Sequence, residues 1–380
     1  RGGDVSASTI EHPGEVRWET RLLAVVAATL TVFGIASVYS AASFHSAGLR
    51  EVLKQLSGAA IGGVAMMVAA RLDYQRWRDG AWLLLGFTVA LLVLLLIPGL
   101  GSIAPEVNGA RRWIRFPGGT FQPSELARFA IVVWASMIAA KKGEQIRDFK
   151  KGVAPVLVIT ASVSLLVLVE PNLSMATVIA LLGGVVLFTA GARIGQFMLL
   201  GVAGLFAAVA AIVAEPYRFQ RVRCFFGLAS DCQAGTSWQL TEATKGFGAG
   251  RLFGVGFGEG QLKLDYLPIA SSDFLFATVG EEWGFLGVLF VILLFGIFCW
   301  LGFRIARTAP DPFGRYLATG LTAAVGLSAL MHMAVNMGLM PTTGLALPFM
   351  SSGRASLLVT LLTVGVLISV GRMRGRPVSR

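Results

Sequence analysis

Charge is what this sequence has least of. Only 14% of its 380 residues are Asp, Glu, Lys or Arg, against 55% that are hydrophobic. A soluble fold of this length has no need of so much apolar sequence, whereas a polytopic membrane protein requires repeated runs of about 20 apolar residues. Histidine and cysteine are rarer still, with three of each. His332 has no second His or Cys at ligand spacing, so a metal centre built on it is not supported. Cys299 falls in an apolar run as packing, while Cys224 and Cys232 share one polar stretch and are placed to pair if that stretch faces outside. The glycine-rich segment GFGAGRLFGVGFGEG contains no G-x-x-x-x-G-K-[ST] and does not fit G-x-G-x-x-G, which argues against a nucleotide loop. It reads instead as short, close-packed helices or turns. No basic, aromatic-interleaved soluble segment is present, so the net charge of +11 does not point to nucleic acid. No cleavable signal peptide is recognisable, and the opening Arg1 with its small polar neighbours reads as a truncated or processed terminus.

What is present is a series of hydrophobic runs, at residues 22–42, 52–70, 81–97, 124–140, 153–169, 173–190, 197–213, 274–301, 316–338 and 355–371. They predict an all-α polytopic membrane protein of about ten transmembrane helices forming one domain over 22–371, with tails at 1–21 and 372–380. The runs on either side of Pro171 could also form one long broken helix. A long loop, 214–273, separates helices 7 and 8 and is a candidate functional element. With ten spans the termini share a side. Most of the 32 Lys and Arg then fall in the segments on that side, so both tails are expected in the cytoplasm and the long loop outside.

The exceptions to that charge rule are informative. Arg111, Arg112 and Arg115 form one outer cluster, and Arg218, Arg221 and Arg223 form another. Arginine forks bind phosphate, so an anionic or phosphorylated ligand at the outer face is one explanation, and attraction to lipid headgroups is the other. Trp113, beside the first cluster, has the simpler use of an interface anchor. Pro123, Ser124 and Glu125 are ordinary helix-starting residues, and Glu125 and Arg128 are spaced to neutralise each other on one helix face. Glu170-Pro171-Asn172 reads as a turn that ends one helix and begins another. Pro341, Gly344, Pro348 and Gly353, following His332 and Asn336, predict a re-entrant turn, tolerated at membrane depth only when covered by protein or lining a water-filled cavity. Asp273 stands at the mouth of the eighth run, where helix capping would explain it. Glu281 and Glu282 lie roughly 12 to 14 Å further along at 1.5 Å per residue, and as carboxylates in lipid they suggest function or pairing inside the bundle.

Taken in order, GARRWI with FQPSELAR, then EPNLS, YRFQRV, LFGVGFGEGQLKLDYLPIASSDFLFATVGEEWGF and NMGLMPTTGLALPFMSSGRASLL resemble the motifs of the SEDS family (FtsW, RodA, SpoVE), over about residues 21–371. The resemblance implies a ten-span peptidoglycan glycosyltransferase of the bacterial cytoplasmic membrane. Such an enzyme polymerises lipid II at the outer face with a class B penicillin-binding protein and other division or elongation membrane proteins. It implies Asp273 as the essential aspartate. Arg112 and Trp113, Gln122 and Ser124, and Lys263 match substrate-side motifs, joined by Arg218 and Arg221 as phosphate-binding candidates. Glu125, Arg128, Glu282, Asn336 and Ser352 would support the site. It fixes no cofactor, with a divalent cation (Mg or Mn) as a candidate aid and its ligands unspecified. Two departures stand out. The family often has Q-P-D-L-G-T where this chain has Glu170-Pro171-Asn172-Leu173-Ser174-Met175, and S-Y-G-G-S-S where it has Ser351-Ser352-Gly353-Arg354-Ala355-Ser356. The PTTG at Pro341 is closer to the division-type P-T-K-G than to P-V-T-G, which leans the resemblance toward FtsW.

Chemistry and residues agree on one point. Glycoside hydrolases generally need two carboxylates because an alkoxide leaves poorly. A lipid pyrophosphate leaves without protonation if its charge is stabilised, so one base and a cationic cradle suffice. Two other functions are consistent with the same residues. One is a flippase for lipid-linked precursors that uses Glu125, Arg128, Glu281 and Glu282, and the other is a non-catalytic division scaffold.

Overall fold

The computed structural model describes residues 18–42, 48–106, 109–116, 119–228, 236–263 and 271–373. All ten predicted spans are helices. They are α1 (Trp18–Ala42), α2 (Gly48–Arg71), α4 (Ala81–Leu96), α5 (Pro123–Lys142), α6 (Ala154–Val169), α7 (Leu173–Thr189), α8 (Ile194–Val213), α11 (Leu275–Arg307), α12 (Pro312–Asn336) and α13 (Arg354–Arg372). Short helices α3 (Gln75–Asp79), α9 (Pro216–Phe225) and α10 (Thr236–Gly250) lie between them, and β1 (Ile114–Phe116) pairs antiparallel with β2 (Gly119–Phe121). The break at Pro171 makes two helices rather than one. Eight of the ten spans are long and apolar enough to cross a bilayer, with α4 and α7 shorter. The chain is therefore an integral membrane protein.

The most enclosed spans are α5, α12 and α13. Arg128 ties all three together, with Nη2 2.9 Å from Glu125 Oε2 and hydrogen bonds donated to Ser328 Oγ (3.0 Å) and Thr360 Oγ1 (3.3 Å). The neutralisation predicted on α5 is thus a three-helix clasp. α2 approaches α13 so closely that a Cβ on Gly62 would come within 2.7 Å of Leu361 Cδ1, the small-residue contact by which helices associate in lipid. α8 has no buried residue and stands at the edge of the bundle. Where α1 meets the far end of α11, Arg304 Nε lies 3.1 Å from Glu19 Oε1 and its guanidinium sits over the Trp18 and Trp300 rings.

The predicted single helix over 274–301 needs a correction. α11 is interrupted at Gly284 (φ 64°, ψ −161°), and the break frees peptide groups that lipid could not satisfy. The glycine-rich loop fills that breach. Val255 N and Gly256 N donate to the Glu281 and Glu282 carbonyls (3.0 and 3.2 Å), while Phe285 N and Leu286 N donate to Arg251 and Leu252 (2.8 and 3.2 Å). Here glycine is required by close approach, since a Cβ at Gly284 would lie 2.3 Å from Gly254 N and 2.7 Å from Gly250 O. The re-entrant turn is also present. Residues 345 and 347–351 are buried, Phe349 packs on Phe295 and Phe298 of α11, and Gln55 of α2 donates to the Met350 and Ser351 carbonyls (3.3 and 3.1 Å).

Gly284→Ala combines a disfavoured φ with a backbone collision and should cost about 2 to 4 kcal/mol. Thermal unfolding in detergent should show a clearly lowered midpoint for it. Gly296→Ala on the same helix meets no atom within 4 Å and should leave the midpoint unchanged.

Candidate functional site

Asp273 sits in the turn leading into α11, held from behind by two elements. Asn336, at the end of α12, donates from Nδ2 to the Asp273 carbonyl (3.0 Å) and accepts at Oδ1 from Ala277 N (3.0 Å). The re-entrant turn supplies Ser351, whose Oγ donates to the Ser272 carbonyl (2.7 Å), and Ser352, whose backbone N donates to the Ser271 carbonyl (2.9 Å). The capping explanation for Asp273 does not survive this geometry. Phe274 occupies the N-cap, no side chain of the local chain caps the helix, and the N–H of Ala277 is met by Asn336. The Asp273 carboxyl is left to a hydrogen bond from Ser272 Oγ (3.0 Å) and to two cations. Burial pushes this carboxyl above the ordinary aspartate range, opposed by the Ser272 hydroxyl and by the charges of Arg221 and Arg112. Such a group is a stronger base than a solvated aspartate, and the cations keep its ionised form accessible.

The two arginines arrive from distant parts of the chain. Arg221, on α9, donates to the Thr342 carbonyl of the re-entrant segment (3.1 Å). Arg112, just before β1, donates from Nε to the Glu170 carbonyl (3.2 Å) and from Nη2 to the Pro171 carbonyl. Each is oriented by backbone oxygens. A cavity of about 300 Å3 opens beside Arg221, walled by Phe225 and Thr241 on one side and Pro341 and Thr342 on the other. Trp113 is partly buried next to Arg112, and Gln122, at the start of α5, donates to the fully buried Ser124 Oγ (3.0 Å).

Other predicted site residues are placed in the frame. Arg218 donates to the Ala211 carbonyl at the end of α8 (3.1 Å). Lys263 is 6% exposed, donates to the Gly258 carbonyl and lies 3.7 Å from Glu282 Oε1, which also accepts from Ser40 Oγ (2.5 Å). Glu281 accepts from the Gln261 and Leu262 backbone N–H groups (2.8 and 3.1 Å). Glu281 and Glu282 are thus pairing carboxylates that bind the loop to α11. Cys224 is in a disulfide, while Cys232 and residues 266–268 lie outside the described residues. Among the described residues no three His, Cys, Asp or Glu side chains converge as metal ligands.

Sequence reasoning passed over Ser351 and Thr342, although both lie in the Pro- and Gly-rich turn that it singled out. It also read Glu170 as an ordinary turn residue, yet Glu170 is 1% exposed. The departures acquire local explanations. Asn172 Oδ1 accepts from Met175 N (3.3 Å) as the N-cap of α7, a role that Asp and Asn fill equally. The Arg354 stem packs over Gly58 of α2, with its guanidinium against Gly119 of β2, so it rests between the hairpin and the bundle.

Comparison with known proteins supplies independent evidence. The family model FTSW_RODA_SPOVE, described as a cell cycle protein, matches residues 20–375. A protein of Trichlorobacter lovleyi that bears the name "Probable peptidoglycan glycosyltransferase FtsW" is 41% identical over 355 residues, 92% of this chain and 91% of that one. Stage V sporulation protein E of Bacillus subtilis is 36% identical over 92% of this chain and 96% of its own. Among solved structures, a peptidoglycan synthase complex that coordinates polymerization and crosslinking matches with a TM-score of 0.76 at 25% identity, covering 93% of this chain and 98% of that one. The rod shape determining protein RodA of Thermus thermophilus matches with a TM-score of 0.69 at 25% identity, covering 93% and 97%.

Replacing Asn336 by Leu should strand the Ala277 N–H and the Asp273 carbonyl. A loss of about 1 to 3 kcal/mol is expected from the buried groups left unsatisfied. Thermal unfolding measures it, and hydrogen exchange should rise first in the amides at the start of α11.

Proposed function

We infer the function from the family to which the chain belongs, the FtsW, RodA and SpoVE family of cell cycle proteins. It is a peptidoglycan glycosyltransferase that polymerises glycan strands from a lipid-linked disaccharide-peptide, lipid II, with release of undecaprenyl pyrophosphate. The observation that carries the mechanism is the isolation of the Asp273 carboxyl, which caps no helix, is partly buried and has Arg221 and Arg112 as its cationic neighbours.

In this mechanism Asp273 takes the proton from the acceptor sugar hydroxyl as that oxygen attacks the anomeric carbon of the donor. The bond from that carbon to the pyrophosphate breaks, and the departing charge is received by Arg112 and Arg221. No second acid is needed, because a pyrophosphate leaves without protonation. Both arginines are already oriented by backbone carbonyls, so little reorganisation accompanies the charge shift. Trp113 and Gln122 stand on the hairpin side, with Gln122 held by the buried Ser124. Asn336 and Ser352 hold the Asp273 turn, while Glu125, Arg128, Glu282 and Lys263 hold the frame. No step is routed through a metal.

The chain works in the bacterial cytoplasmic membrane with both termini in the cytoplasm and the Asp273 end of α11 outside. Its partner is a class B penicillin-binding protein, a reading supported by the likeness to a synthase complex that joins polymerization to crosslinking. Other division or elongation membrane proteins complete the assembly, and the acceptor and donor are both lipid-linked rather than nucleic acid. The charges a flippase would use are committed elsewhere, since Arg128 is paired with Glu125, and Glu282 with Ser40 and Lys263.

Purified protein with its partner and labelled lipid II should yield glycan, and Asp273→Asn should lower the rate by about 10² to 10⁴ with an unchanged thermal midpoint. Full activity of the variant would remove Asp273 from the chemistry. Movement of lipid II across liposomes without glycan product would favour transport. Because the Asp273 carboxyl is held above the ordinary aspartate range, the acidic fall in rate should be centred above that range and vanish from the residual activity of Asp273→Asn.

A further inference from the structure

Glu170 lies at the corner between α6 and α7, one residue past the α6 span, and both oxygens of its buried carboxyl lack a hydrogen-bond partner. Native structures leave few buried polar groups unpaired, and each such group calls for an explanation. Arg112 donates to the backbone carbonyls of Glu170 and Pro171, and the Glu170 carboxyl oxygens accept no hydrogen bond. The same guanidinium acts electrostatically on Glu170 and on Asp273, so two carboxyls flank one arginine of the site. The elements packed on α6 carry Glu125, Arg128, Lys141 and Lys142 on α5 and Lys150 and Lys151 on segment 149–153, but among the described residues Arg112 is the one charge acting on Glu170. Burial pushes the Glu170 carboxyl up to about 8, against the pull of Arg112. Near neutral pH it therefore carries a proton and can donate it in a hydrogen bond.

A pyrophosphate drawn to Arg112 and Arg221 would be repelled by an ionised Glu170 but welcomed by a protonated one. We propose that Glu170 is a binding residue of the polymerase site, whose neutral carboxyl donates a hydrogen bond, beside Arg112, to a phosphate oxygen of the lipid-linked donor. The proposal rests on the polymerase reading above. It also explains the exchange in the motif. Where Q-P-D-L-G-T carries an amide first and a carboxyl third, this chain has Glu170 and Asn172. Glutamine has the shape of a protonated glutamic acid and keeps a donor at the first position, while Asn172 retains the helix cap at the third.

The test uses the full chain with its transpeptidase partner and labelled lipid II, with initial rates measured against lipid II from about pH 6.5 to about 9.5, a range spanning the ionisation of interest. Wild type should lose affinity as pH rises through about 8, seen as a rising KM. Glu170→Gln should keep a KM within about threefold of wild type at neutral pH and lose that alkaline rise. Glu170→Met, of similar length and apolar, should raise KM by about tenfold or more at neutral pH while its thermal midpoint stays equal or increases, because an unpaired buried carboxyl has been removed. A wild-type KM in Glu170→Met, an alkaline rise undiminished in Glu170→Gln, or a lowered midpoint in Glu170→Met would each overturn the proposal in favour of a structural carboxyl. Absence of glycan from the wild-type complex would overturn the polymerase reading itself, and this assignment with it.

Discussion

The fold depends on one constraint, that a peptide group inside a bilayer must find its hydrogen-bond partner within the protein. Unbroken helices meet it without help, and most of this chain is built of them. Function requires irregular backbone at two places, the break in α11 at Gly284 and the re-entrant turn before α13. At the first, loop 251–256 donates to and accepts from the freed groups. At the second, Gln55 donates to the Met350 and Ser351 carbonyls and accepts from Gly353 N, and Ser351 Oγ accepts from Leu347 N, while Asn336 does the same for the turn into α11. The glycines, the Asn and the Ser of the longest motifs therefore have a common physical origin. They are the residue types that allow close backbone approach or substitute for a missing peptide partner.

Buried charge follows a parallel logic. Each carboxylate well inside a span is met by a cation, a hydroxyl or peptide N–H groups: Glu125 by Arg128, Glu282 by Lys263 and Ser40, Glu281 by the Gln261 and Leu262 amides. Leaving any one of them unmet would cost several kcal/mol. Asp273 and Glu170 differ from this set. Both stand at helix ends and both feel Arg112 without an ion pair to it, so the exceptions to internal neutralisation coincide with the place assigned to an anionic substrate.

Much of this was legible in the sequence, for identifiable reasons. The ten spans follow from apolar run length, and the re-entrant turn from prolines and glycines where a helix could not continue. The Glu125 and Arg128 pairing follows from their spacing of three. The kink at Gly284 was not legible, because a single glycine in a helical run is commonly tolerated without a break and its stabilising partners lie some thirty residues earlier. Lys263 shows the same limit. A lysine in a polar loop that matches a substrate-side motif looks like a ligand, and only the fold shows it drawn down to Glu282. Glu170 escaped notice because a carboxylate beside proline is ordinary in a solvent-exposed turn, and exposure is a tertiary property.

The way Asp273 is held bears on why a single carboxylate can suffice. A general base works best when its orientation and basicity are set before substrate arrives. Had Asp273 capped α11, its lone pairs would have been committed to peptide N–H groups and its basicity lowered. Asn336, sixty-odd residues later, takes over the capping and anchors the Asp273 carbonyl in the same stroke. The side chain is thereby separated from its own helix while its backbone is fixed from α12 and from the re-entrant turn. Burial then raises its basicity, and two arginines held by backbone carbonyls limit that rise so that the carboxylate can still form. The long-range hydrogen bonds that satisfy a broken membrane backbone are thus the same bonds that release one aspartate for chemistry.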